Sequence, residues 1–281
     1  MNTVKYLRII CLLILTWTVF PAAAQHSLKE EKITQYFQKV NPEGMVWLEN
    51  PKHRSAALFK EAVKANPRGA TILLHDISHN LSSSGIIKDI ATTLPEYGWA
   101  TLSIQLPYIE NENNTQDFEK YSSEINERIR TAIKWLNNSR PKNIVVVAHG
   151  VSAHAVLSQL SQKSIPQISA AVLLSSGAKN LKTTKIEFDK LLGSKVHIFD
   201  LYAANDSKEL LKQARLRRKD ALRAGILNTT KSYSGSAPKS QRPLLYHQKR
   251  EFGADHNFIN LGNKISKRIL GWLKRMERTV K

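Results

Sequence analysis

Ser152, Asp206 and His256 are the residues whose types and order could carry acyl chemistry. A hydroxyl that attacks, a histidine that takes its proton and a carboxylate that orients the histidine make a hydrolytic triad. The chain order nucleophile, acid, histidine is one of those in which such triads recur. His256 sits in Gly253-Ala254-Asp255-His256-Asn257-Phe258, a loop ahead of the last helical pattern. Asp206 closes Asp200-Leu201-Tyr202-Ala203-Ala204-Asn205-Asp206, just past an apolar run. The same residue type at that place also suits the N-cap of the following helix. The nucleophile position is the weak member. Val145-Val146-Val147-Ala148-His149-Gly150-Val151-Ser152 reads as a buried strand, a tight turn and a helix start. That is how the pattern G-x-S-x-G exposes its serine. Here Gly150 stands at the apex and has no side chain. Ser152 lies two residues on, in the first helical turn, where its hydroxyl should face elsewhere.

An acyl site also needs donors for the developing oxyanion. The segment His75-Asp76-Ile77-Ser78-His79 follows an apolar run. A backbone N–H near Ile77 could pair with that of Val151, at the positive end of a helix. His75 and His149 are assigned supporting places beside these donors. Histidines spaced as His75 and His79 normally need a helix to converge on a metal, and this segment reads as a loop. No metal and no cofactor is expected.

Strand-like and helix-like segments alternate from about residue 44 onward. This predicts an α/β fold, a mostly parallel central sheet with helices on both faces. Met45–Leu48 and Arg54–Lys60 read as an antiparallel pair at one edge. Ala70–Leu74, Trp99–Leu106, Ile144–Ala148, Ala170–Leu174, Val196–Tyr202 and Pro243–His247 read as further strands. Helices are predicted over Ser27–Val40, Ser84–Leu94, Gln116–Leu136, Ser152–Gln162, Asp206–Ala224 and Ile265–Met276. Tyr121, Ile125, Ile129, Ile133 and Leu136 share one helix face. Residues 220–240 break the rhythm and read as a mobile loop or a cap, within a single domain spanning 25–281.

Residues 1–24 have the form of a secretory signal peptide. Lys5 and Arg8 precede the apolar run Ile9–Phe20, and Ala22-Ala23-Ala24 supplies a cleavage site ahead of Gln25. The run is short for a membrane span. A periplasmic or secreted location is expected. Cys11 is the one cysteine, so the cleaved chain has no disulfide. The formal charge is +19, and losing Lys5 and Arg8 leaves +17. Seven basic residues fall between Lys208 and Arg223 and seven more between Lys264 and Lys281. Such a surface favours anionic envelope components and peripheral membrane contact. Aromatic residues do not interleave with the basic runs, which argues against nucleic acid.

With these segments placed, the chain resembles the domain-of-unknown-function 3530 family, α/β-hydrolase-like proteins of Gram-negative proteobacteria. The resemblance rests on residues 70–79, 94–107, 145–150 and 200–206 with the basic helix after them, and on the final helix around Trp272. It implies an α/β-hydrolase fold and an exported protein, with glycine at the elbow as a family trait. This chain departs from the family pattern at Ala148 and at Ser152-Ala153. It supplies no reaction. Two readings stand. One is a non-catalytic binding or envelope-associated factor that keeps a pocket for a small acyl-type ligand. The other is an active esterase or acyl hydrolase using His256 and Asp206 with Ser152 or an activated water.

Overall fold

The computed structural model describes residues 22–51, 53–81, 83–109, 114–165, 167–177, 186–191, 196–227 and 245–279. Eight strands form one sheet: β1 (Met45–Glu49), β2 (Arg54–Lys60), β3 (Gly69–Leu74), β4 (Trp99–Ile104), β5 (Ile144–His149), β6 (Ala170–Leu174), β7 (His197–Ala203) and β8 (Tyr246–Glu251). Their spatial order is β1-β2-β4-β3-β5-β6-β7-β8. β2 pairs antiparallel with β1 and with β4, and every later pairing is parallel. The helices are α1 (Ala22–Val40), α2 (Ile86–Thr93), α3 (Thr115–Leu136), α4 (Gly150–Ser161), α5 (Phe188–Leu191), α6 (Lys208–Arg223) and α7 (Gly262–Thr279). This is an α/β-hydrolase fold.

The hydrophobic pattern explains the layers. Successive side chains of a strand point to opposite faces. Val146 and Ala148 of β5 join one core with Ile125 and Ile129 of α3 and Val156 and Leu157 of α4. Val145 and Val147 join the other with Ile86 and Ile90 of α2 and Ile269, Trp272 and Leu273 of α7. Every residue of β3, β5 and β6 is buried, as expected of strands covered on both faces.

Three features fix the top of the sheet. Asp200 of β7 is fully buried and takes Arg217 of α6 at 2.8 Å. Tyr246 Oη donates to the same carboxylate, and Gln248 Nε2 adds a bond of 2.9 Å. That network clamps α6 against β7 and β8 and so sets the turn that carries Asp206. Ser207, not Asp206, caps α6: its Oγ accepts from the Leu210 N–H at 3.3 Å. Glu30 of α1 pairs with the buried Arg128 of α3 at 2.6 Å and accepts from the Tyr108 N–H at 3.0 Å.

The boundaries differ from expectation in several places. α1 starts at Ala22 rather than Ser27, because a run of alanine extends a helix readily. The last strand runs to Glu251. It is a sheet edge, so exposed Lys249 and Arg250 are tolerated where an apolar pattern would otherwise mark a strand. Most of the 220–240 segment lies outside the described residues. Its described beginning ends α6 and reaches a parallel bridge between Leu227 and Tyr246.

Candidate functional site

Gly150 opens α4 with φ +62°, the left-handed conformation of a strand-to-helix elbow. A residue with a side chain takes up strain there, and glycine does so freely. The elbow backbone is therefore intact although its side chain is gone. What stands in the vacated space is Asp76, from the loop after β3. A Cβ built on Gly150 would overlap Cγ and both carboxylate oxygens of Asp76.

The carboxylate is held at both oxygens. Oδ1 accepts the backbone N–H of Ile77 at 2.8 Å and that of Val151 at 3.0 Å. These are the two donors expected to serve an oxyanion. Oδ2 lies 3.3 Å from Nε2 of His256. The opposite ring nitrogen, Nδ1, lies 3.1 and 3.2 Å from the oxygens of Asp206. The result is a line of three groups, Asp76, His256 and Asp206. Asp206 also accepts the Ser207 N–H at 2.9 Å. Because Ser207 does the capping, the Asp206 carboxylate is left to the histidine.

The electrostatics follow from this geometry. Burial alone would lower the pKa of His256. The hydrogen bonds and charges of Asp206 and Asp76 outweigh it and raise the pKa to about 9. Burial would raise that of Asp76. The His256 bond, the nearby His149 and the Val151 N–H outweigh it and lower the pKa to about 2. At neutral pH the line reads carboxylate, imidazolium, carboxylate, with both ring N–H groups donating. An imidazolium has no lone pair to take a proton from a hydroxyl or a water.

The neighbouring histidines are buried supports. His149 donates from Nε2 to the His256 carbonyl at 2.9 Å, and the two rings lie 5.0 Å apart. Its burial lowers its pKa. His75 donates from Nδ1 to the Asp76 carbonyl at 2.8 Å, and burial lowers its pKa to about 4. Ser152 does not join the line. It is fully buried, its Oγ donates to the His75 carbonyl, and it sits 3.2 Å from Tyr121 Oη. No hydrogen bond connects it to His256. The first turn of α4 points it under β3, where it ties α3, α4 and the His75 turn together.

The structure thus brings together Gly150, Val151, Ile77, Asp206 and His256, and leaves Ser152 apart. Asp76 was missed as a functional residue. Its signal was an acid beside an expected oxyanion donor in a chain lacking its elbow side chain. A cavity of about 830 Å³ opens at Asp76, His79, His149 and Asn257. It runs between α1 and α2 along Phe37, Leu58, Phe59, Ile86 and Ile87. Among the described residues, no group of three or more metal-ligating side chains could hold an ion.

The profile of a family described as "Protein of unknown function (DUF3530)" matches residues 16–122 and 110–234. No curated protein matches the chain. Solved structures are similar in fold. Est1E from Butyrivibrio proteoclasticus has a TM-score of 0.59 at 11% identity, covering 85% of this chain and 100% of that one. It has also been solved with ferulic acid bound. A dienelactone hydrolase from Anabaena variabilis gives a TM-score of 0.58 at 15% identity, covering 82% of this chain and 95% of that one. The esterase domain of a Rhodothermus marinus protein gives a TM-score of 0.52 at 15% identity, covering 82% and 97% respectively.

Proposed function

This chain belongs to the DUF3530 family, and we propose that it is an exported, non-catalytic member of the α/β-hydrolase fold that binds a ligand rather than cleaving one. The observation that carries the reading is the seating of Asp76. Its carboxylate occupies the nucleophile's space, both oxyanion donors and the reactive nitrogen of His256 at once. Acyl transfer needs each of those free. The water-activating alternative is disfavoured for the same reason, since both nitrogens of His256 face carboxylates.

The cavity beside Asp76 supports a ligand with an apolar body and a polar end. Phe37, Leu58, Phe59, Ile86 and Ile87 would hold the body, and His79, His149 and Asn257 surround the polar end. α6 turns Lys208, Lys212, Arg215, Arg218, Lys219 and Arg223 to solvent, with Leu216 and Leu222 between them. That face suits peripheral contact with anionic envelope material. The leader-like residues 1–24 support export, with Gln25 as the new N-terminus.

The test uses purified protein from the exported fraction. It is offered p-nitrophenyl esters, a thioester and an amide, then titrated with an apolar fluorescent probe. The expectation is no turnover and saturable probe binding. Turnover that disappears in His256→Ala overturns the reading.

A further inference from the structure

A second, smaller groove lies on the other side of the sheet edge, between β8 and α7. Its walls are Phe199, Lys249, Lys267, Arg268, Gly271 and Arg275, and it encloses about 230 Å³. The cations there differ in how they are balanced. Arg268 meets Glu251 at 2.5 Å, and Lys264 meets the same carboxylate at 2.7 Å. Glu277, the acid nearest the end of the helix, is taken by Arg68 at 2.6 Å. Among the described residues no carboxylate pairs with Lys249, Lys267 or Arg275. Three like charges therefore converge on one indentation without a counter-charge.

One further observation points to a ligand. Gly271 sits in the interior of α7, where glycine is less stable than alanine. An added Cβ would meet nothing within 4 Å, so packing does not call for the glycine. It leaves the floor of the groove bare, as a closely approaching ligand requires. His247, on β8, packs its ring 5.3 Å from Phe199, and its buried Nδ1 has no hydrogen-bond partner. Burial, then the charges of Arg275 and Lys249, lower its pKa to about 4.

We propose that the groove between β8 and α7 binds a phosphate group, held by Arg275, Lys249 and Lys267 over the bare backbone of Gly271. A guanidinium grips phosphate oxygens through paired N–H bonds, and two ammonium groups add charge without demanding geometry. The phosphate could belong to a soluble compound or to a lipid headgroup. This site is independent of the Asp76 cavity, and either can fail without the other.

The test titrates the exported protein with inorganic pyrophosphate by calorimetry. It also floats the protein with phosphatidylcholine vesicles that contain or lack phosphatidate. Lys249→Gln/Arg275→Gln should weaken pyrophosphate binding about tenfold. Lys274→Gln/Arg278→Gln, on an exposed face of the same helix, removes the same charge and should leave it unchanged. Gly271→Ala should raise Tm by about 3 °C yet weaken binding. Flotation with phosphatidate that pyrophosphate reverses identifies a headgroup, and pyrophosphate binding without flotation identifies a soluble phosphate. The proposal is overturned if neither probe binds, if the two charge pairs weaken binding equally, or if Gly271→Ala binds like the parent.

Discussion

The carboxylate of Asp76 occupies the volume that any side chain at Gly150 would need. Asp76 follows β3 and Gly150 follows β5, and those two strands are hydrogen-bonded neighbours in the sheet. One strand supplies the elbow and the adjacent one fills it. The pair must therefore be changed together to recover chemistry.

Gly150→Ser alone should give an inactive and less stable protein, because the new side chain overlaps Asp76. The loss should be on the order of 2 kcal/mol, typical of overpacking. Gly150→Ser with Asp76→Gly frees the space and both oxyanion donors. That double variant should acquire p-nitrophenyl acetate hydrolysis and fluorophosphonate labelling that neither single variant shows. Rate assays with intact-mass detection of the label check both expectations.

The histidine gives stability a pH profile with two ends. The pKa of His256 is raised from 6.5 to about 9, so its stabilisation is complete below about pH 6.5 and drains away as pH climbs through 9. That of Asp76 is lowered from 3.8 to about 2, so its share is complete above about pH 4 and is lost as pH falls through 2. Asp76→Asn removes one of the two carboxylates facing His256. The imidazole resonance should then titrate at a lower pH, and the alkaline loss of stability should shrink. NMR titration and urea midpoints at pH 6, 8 and about 9.5 read the two effects.

Ser152→Ala tests a structural role. It removes the bond to the His75 carbonyl and the contact with Tyr121. The expected cost is about 1–2 kcal/mol in a denaturant midpoint. Parent protein should take no fluorophosphonate label at this residue, and labelling of Ser152 in a peptide map would contradict its placement.

Glu30→Ala leaves Arg128 buried without its carboxylate, although the guanidinium keeps the Gln105 carbonyl at 2.7 Å. The cost should be about 3 kcal/mol, the scale for breaking a buried pair from one side. α1 also carries Phe37 to the cavity wall. Binding of an apolar probe should therefore weaken in this variant, which fluorescence titration would measure.

Much of the sheet was legible because its strands are extreme. Ile72-Leu73-Leu74 and Val145-Val146-Val147 are apolar on both faces, and only a doubly covered strand reads that way. Tyr246–Glu251 was harder, since an edge strand can be polar along its length. Phe188–Leu191 is too short to show a helical period. Within the site, the order of Asp206 and His256 could be read from strand ends. The role of Asp76 could not, because it depends on a space left by a residue far away in sequence. The division of labour between Asp206 and Ser207 is equally invisible in sequence: both can cap a helix, and only the backbone turn decides which one does.

The outer strand β8 has one further consequence. Among the described residues only Leu227 bridges the outer side of β8, at Tyr246, and a rim of unpaired backbone groups invites sheets to join side by side. Here Lys249 and Arg250 stand along that rim, exposed to solvent. Two molecules meeting rim to rim would press like charges together, so the strand's polarity, which hid it from view in the sequence, also guards the protein against stacking into fibres.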